Sequence, residues 1–342
     1  MINLAKMLLA LLIGLLGSIV FIYFHLPLPW LLGSIFATTL SIRFEKLPII
    51  SPKTFSPPAR ILIGIAIGSA FTPEILNYIP HYFVSLLLVV PFTILVIFFG
   101  TYYYYKVLKY DLKTSYLGSM PGGVIEMVII GEELKADTTK ITLMQSSRLF
   151  FVVVSLPFII QYIFQIDIRG NQLLTTPLKN IDFFEFFVLY TLSIFAAIFA
   201  KRIKVTAAFL MGPMILSIFL FSTGVFTVAI PDEFLKFIQI VFGVIIGFTF
   251  RNVPFKIIYK TLLATFGHFI ILFILCAIFI AIIFYSLDFK VLDILLAFGP
   301  GGQTEINLIA LLVGANLPYI TLHHIVRLLI VMNIAPIIAR RL

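Results

Sequence analysis

Long apolar runs separated by short polar loops set the pattern of this chain. The pattern predicts helices over residues 4–24, 27–42, 58–71, 82–105 and 138–164, then over 184–200, 205–222, 235–250, 261–285 and 317–338. About twenty apolar residues rising 1.5 Å each carry a helix across a bilayer core. An all-α integral membrane protein is therefore expected. Two stretches break the pattern, Pro121-Gly122-Gly123 and Pro300-Gly301-Gly302. Proline lacks an amide donor and glycine is a poor helix former, so the first break splits its segment into short helices over 114–120 and 123–134. Irregular backbone at membrane depth is tolerated only where protein or water covers it. Each break is read as a re-entrant hairpin lying between the fourth and last helix of its half.

The two breaks belong to a longer correspondence. With an offset of 179 positions and no gap, Gly33 falls on Gly212, Gly64 on Gly243, Gly68 on Gly247, Glu126 on Glu305, Arg148 on Arg327 and Pro157 on Pro336. A duplication follows: a first membrane repeat over 1–165, a polar linker over 166–183 and a second repeat over 184–342.

Loop charges bear on how the repeats are oriented, because Lys and Arg collect on the cytoplasmic side. In the first half they follow the second helix (Arg43, Lys46, Lys53, Arg60) and the fourth (Lys106, Lys109, Lys113), where the second half has Ser222, Val225, Asp232, Gln239, Tyr285, Asp288 and Leu292. The second half instead carries Lys201, Arg202 and Lys204, then Arg251, Lys256 and Lys260, against Ile22, Tyr23, His25, Thr72, Asn77 and His81 in the first. The exchange predicts opposite orientations, which need an odd number of crossings per repeat. Five spans plus a broken hairpin satisfy it. Both termini are then cytoplasmic in a multi-pass bacterial inner-membrane protein, and the architecture is an inverted-topology repeat.

Composition agrees: 61% of residues are hydrophobic and 11% charged, against about 25% charged in soluble domains. The net charge of +9 sits in the loop clusters, so direct nucleic-acid binding is not expected. The single cysteine, Cys276, excludes an intrachain disulfide. No cleavage site precedes His25-Leu26-Pro27, so the first apolar run reads as a membrane helix rather than a removed leader.

Candidate chemistry gathers at the breaks. Helices starting at Gly123 and Gly302 present free amide groups and a positive dipole end, suited to an anionic group; a plain tight turn at Pro121-Gly122-Gly123 and Pro300-Gly301-Gly302 is the other reading. Glu126 and Glu305 lie one turn in. A carboxylate costs about 3 kcal/mol at mid-membrane, so it needs a proton, a cation or water; stabilisation by the dipole alone is the alternative. Arg148 and Arg327 stand about 16 Å into the last helix of each half, with Gln145 and His324 one turn before them. Arg148 is expected to pair with Glu126 and Arg327 with Glu305, or the arginines to meet substrate. His323-His324 lacks other ligands at metal spacing, so no metal and no cofactor are expected. Asp137 and Asn316 read as helix caps, Gly64-x-x-x-Gly68 and Gly243-x-x-x-Gly247 as packing faces, and Tyr102 to Tyr105 and Trp30 as interfacial anchors.

The stretches "MPGGVIEMVIIGEELKAD", "QSSRLFFVVVSLP" and "GPGGQTEINLIALLVGANLPYITLHHIVRLLIV" resemble the duplicated membrane domain of AbrB-type proteins. The resemblance covers nearly the whole chain; the second copy departs from it with Glu305-Ile306 in place of a Glu-Met pair. It implies an inner-membrane protein of a group labelled as regulators of gene expression or ammonia monooxygenases. The residues favour a non-enzymatic secondary transporter or exporter of a small, anionic solute, coupled to protons or cations. A membrane-embedded regulator acting indirectly is the alternative, a monooxygenase the third. The bilayer and a small solute are the expected partners, and a homo-oligomer stays open.

Overall fold

The computed structural model describes residues 2–44, 47–166, 178, 181–228, 230–251, 253–299 and 301–342. Pro300 and most of the expected linker, 166–183, lie outside the described residues. Its main elements are α1 (Ile2–Tyr23), α2 (Pro29–Ser41), α3 (Ser56–Gly68), α4 (Pro73–Tyr78), α5 (Phe83–Tyr102), α6 (Leu112–Ser119), α7 (Val124–Glu133) and α8 (Thr138–Phe158). They continue with α9 (Phe183–Arg202), α10 (Ala208–Ser222), α11 (Asp232–Gly247), α12 (Phe255–Ser286), α13 (Val291–Phe298), α14 (Gln303–Val313) and α15 (Leu317–Ala339). The chain is all-α, and its helices fall on the apolar runs.

Seven helical stretches among the described residues are long and apolar enough to cross a membrane, from Asn3–Tyr23 to Leu317–Ala339. The outward side of α1 shows why a bilayer suits it: Leu4, Leu8, Leu12 and Leu16 form a stripe at four-residue spacing, each about half exposed. A continuous apolar face of this kind calls for lipid or protein cover. The protein is a multi-pass membrane protein. Three of the ten expected spans are shorter than foreseen. Helices α2 and α3 have 13 residues each and α10 has 15, or about 20–23 Å at 1.5 Å per residue. The cause is local for two of them. Leu28 and Ala207, the residues before α2 and α10, adopt left-handed backbone (φ 40° and 52°), and a helix cannot run back through such a residue.

Two compact units are formed, each drawing helices from both sides of residues 166–183. The first comprises Met1–Tyr78, Pro157–Asn252 and Leu311–Pro318. In it α2 packs on α1 and α11, and α10 on α9 and α3. The expected small-residue faces are the contact surfaces. A Cβ at Gly64 would lie 2.6 Å from Leu210 O, and one at Gly243 would lie 2.6 Å from Leu31 O. Gly68 and Gly247 stand likewise 3.0 Å from Met214 O and Ile35 O. Leu31 and Leu210, and Ile35 and Met214, are themselves 179 positions apart. Each contact made by one half is thus returned by the other.

The second unit comprises Ile79–Leu156, Val253–Ala310 and Tyr319–Leu342. Here α5 packs on α6 and α12, and α12 on α13. Tyr116, Leu117, Met120, Met127, Ile141, Val331 and Ala335 form a core beside the first break. The same exchange recurs: a Cβ at Gly122 would meet Val331 Cγ1 at 2.9 Å and one at Gly301 would meet Val152 Cγ1 at 3.0 Å. Both broken segments lie in this unit.

Candidate functional site

The first break begins where α6 stops at Ser119 and ends where α7 starts after Gly123, whose backbone is extended (φ −70°, ψ 136°). Both helix ends there have main-chain groups without intrahelical partners. At the end of α6 these are carbonyls, carrying the negative end of the dipole. Arg148, on α8 and 4% exposed, supplies the cation. Its NH1 donates to Met120 O at 2.6 Å and its NH2 to Gln145 Oε1 at 2.7 Å. Gln145 Nε2 donates in turn to Leu117 O and Met120 O, both at 2.9 Å.

The second break is built from the equivalent positions. Arg327 NH1 donates to Gly299 O at 2.7 Å and NH2 to Gly301 O at 3.2 Å. His324 stands where the first break has glutamine. The carbonyl of Leu296 can only accept, so His324 Nε2 carries the proton and donates to it at 3.0 Å. His324 Nδ1 then accepts from Arg327 NH2 at 2.9 Å. The arginine pairings expected with Glu126 and Glu305 are replaced by these bonds to main-chain oxygens. The physical reason is position: the end of α6 or α13 already presents several unpaired carbonyls, and a rigid guanidinium fork can serve more than one.

The glutamates serve the other side of each break. Gly123 precedes α7, so Glu126 is the third residue of that helix, and Glu305 holds the same place in α14. A Cβ added at Gly123 would collide with Glu126 Oε2, and one at Gly302 with Glu305 Oε2. Both carboxylates therefore fold back over the start of their own helix. This is the placement of a capping-box acid, whose charge meets the positive dipole end. Each break thus carries a matched pair of charges: a guanidinium where one half-helix ends and a carboxylate where the next begins. Pro121 is buried, with Gly122 and Gly123 half-buried.

Neighbouring polar residues sort themselves by partner. Thr142 bonds back to Thr138 O at 2.7 Å, whereas Thr321 reaches Asn307 Oδ1 at 3.3 Å. Asp137 caps α8, accepting from Lys140 N at 2.9 Å.

Two buried networks had no advance notice. Tyr319 OH lies 2.5 Å from Ser85 Oγ, which lies 2.8 Å from His323 Nε2, while His323 Nδ1 donates to Tyr319 O at 2.7 Å. All three side chains are fully buried. The adjacent rings of His323 and His324 thus serve separate partners. Tyr104 was expected at the interface with its neighbours; it is instead fully buried, its hydroxyl 3.1 Å from His268 Nδ1. Tyr102 and Tyr105 are exposed, as an anchor requires. A turn of π-helix over Tyr103–Val107 separates their directions. A histidine inside an apolar run was the available signal for His268, since a buried imidazole needs a partner.

The chain is similar to "Uncharacterized protein YhjN" of Bacillus subtilis (strain 168), with 24% identity over 291 residues, covering 81% of this chain and 76% of that protein. A family described as "Transition state regulatory protein AbrB" matches residues 30–342, a span holding both breaks with their arginines and glutamates. The chain belongs to the AbrB family.

Proposed function

We propose that the protein is a secondary transporter of a small anionic solute, coupled to protons at Glu126 and Glu305. The observation that carries this reading is the fold-back of both carboxylates over helix starts at Gly123 and Gly302. A helix N-terminus accepts an anion, and here the anion is internal. When the glutamate is ionised it holds that seat. Protonation cancels its charge, weakens its hold and leaves the amide groups of Gly123, Gly302 and their successors to an anionic solute. Release of the proton returns the carboxylate and expels the solute. Proton and anion then move together, with Arg148, Gln145, Arg327 and His324 keeping each break in shape.

The two halves are read as inverted repeats. The exchange of loop cations and the returned glycine contacts support a two-fold relation lying in the membrane plane, the relation on which alternating access is commonly built. The same charges put both termini on the cytoplasmic side of the bacterial inner membrane. A regulatory effect, which the family description names, would then follow indirectly from moving a signal solute, with no direct contact to nucleic acid.

The test is flux of small anions into proteoliposomes under an imposed pH gradient. Wild type is expected to accumulate one class of anion with the gradient and to lose it when the gradient collapses. Glu126→Gln and Glu305→Gln keep the cap but not the titration, so their flux is expected to become independent of pH. Gradient-driven flux unchanged in both variants removes the coupling role.

A further inference from the structure

A groove of about 350 Å³ lies within the second unit, between α5, α6 and α15. Its wall includes Thr93, Ile97 and Thr101 on α5, Tyr116 on α6 and Ile334 on α15, and it ends at Lys106. From Thr93 to Lys106 the helix rises about 20 Å, more than the roughly 15 Å depth of one leaflet's hydrocarbon. The lining is almost wholly apolar, and among the described residues its one charged side chain is that of Lys106.

Charge is confined to one end. Lys106 is exposed, Lys109, Asp111 and Lys113 follow it within the next seven positions and leave the segment net positive, and the Lys106 ammonium sits 4.8 Å from the centre of the Tyr105 ring. The π-turn over Tyr103–Val107 shapes this end, sending Tyr104 inward to His268 while Tyr105 and Lys106 line the groove. Such single turns recur at functional sites. An apolar channel as long as a leaflet is deep, with its one charged lining side chain, Lys106, at its mouth, fits the shape and charge of an acyl chain joined to an anionic headgroup.

We infer that this groove is a specific seat for an anionic phospholipid, one acyl chain lying against Ile97 and Ile334 and the headgroup phosphate meeting Lys106. A single cation near a membrane surface contributes about 1 kcal/mol toward anionic lipid, equivalent to about fivefold in affinity.

The full chain in detergent is titrated with dioleoyl phosphatidylglycerol or dioleoyl phosphatidylcholine, and bound lipid is counted by native mass spectrometry. Wild type is expected to keep one molecule of the anionic lipid with at least about fivefold preference over the zwitterionic one. Lys106→Ala is expected to abolish most of that preference, while Lys290→Ala, at an exposed lysine outside the groove, leaves it intact. Ile97→Trp, which fills the channel, is expected to remove retention of both lipids; if it does not fold, Ile334→Phe takes its place. Equal retention of the two lipids by wild type, or a preference that survives Lys106→Ala, overturns the assignment.

Discussion

Arg148 donates to the main-chain oxygen of Met120 at 2.6 Å, and in doing so closes a broken helix with a side chain from a different one. A substitution here removes two things at once. The carbonyl of Met120 loses its cationic partner, and Gln145 loses the donor to its Oε1. Gln145 Nε2 still donates to Met120 O, so Gln145 Oε1 is the buried acceptor left unsatisfied, at a cost of about 1–3 kcal/mol. Arg148→Met is therefore expected to lower unfolding stability by about 2 kcal/mol, measured by denaturant titration in detergent. Arg148→Lys keeps the charge but not the fork, so its loss should be about half as large. Equal losses for the two would mean that charge contributes nothing.

His324 offers a sharper comparison, because it fills the role that Gln145 fills in the first break. Gln145 Nε2 and His324 Nε2 donate to carbonyls at equivalent positions, Leu117 and Leu296. His324→Gln is thus expected to be nearly neutral, within about 1 kcal/mol, since it installs the first break's solution in the second. His324→Leu leaves Leu296 O and an arginine donor unmet and should cost about 2 kcal/mol or more. The same unfolding assay ranks them. A costly His324→Gln would show that the two breaks are not interchangeable.

Much of this arrangement is legible in the sequence, and the illegible part has a common cause. Proline, glycine and a glutamate three positions on spell out a helix start with its capping acid. The arginine partners could not be read in the same way, because the acceptors are main-chain carbonyls, and every residue has one. Sequence matching favours a carboxylate for each guanidinium, so Glu126 and Glu305 were the natural but mistaken choice. Tyr104 was missed for a related reason. Four successive tyrosines look alike, and only the π-turn decides which of them faces inward to His268. The shortness of α2 and α10 depends on left-handed Leu28 and Ala207, residue types that give no warning of that conformation.

Close approach at the crossing helices yields a paired expectation. A methyl group at Gly64 or at Gly243 would meet a main-chain oxygen at 2.6 Å, a clash no rotamer can relieve. Overpacking of this sort costs about 1–3 kcal/mol, and Gly243→Ala should cost at least as much as Gly64→Ala, because both meet the equivalent carbonyl and a Cβ at Gly243 also runs into the Ser34 hydroxyl. Gly224→Ala is the contrast. A Cβ there has nothing within 4 Å, but φ is +72°, so backbone strain alone applies, about 1 kcal/mol. Thermal melting of the three variants tests the ranking. A Gly243→Ala variant clearly more stable than Gly64→Ala would argue against equivalent crossings.

Opposite orientation of the halves makes the most exposed prediction. Lys109 and Asp288 occupy equivalent positions, and both are exposed. If the second half is turned over, one of them faces the cytoplasm and the other the outside. Cys276, the single cysteine, is buried, so replacing it with alanine gives a background in which an introduced thiol can be followed alone. In right-side-out vesicles an impermeant maleimide should label Asp288→Cys and spare Lys109→Cys, whereas inside-out vesicles should reverse the pattern. Lys201→Cys is expected to behave as Lys109→Cys does, because its cluster is placed on the same side by charge. Labelling of Lys109→Cys and Asp288→Cys from one common face would return the halves to parallel orientation, and the half-helices at Gly123 and Gly302 would then point the same way across the membrane, unable to meet a solute from both sides.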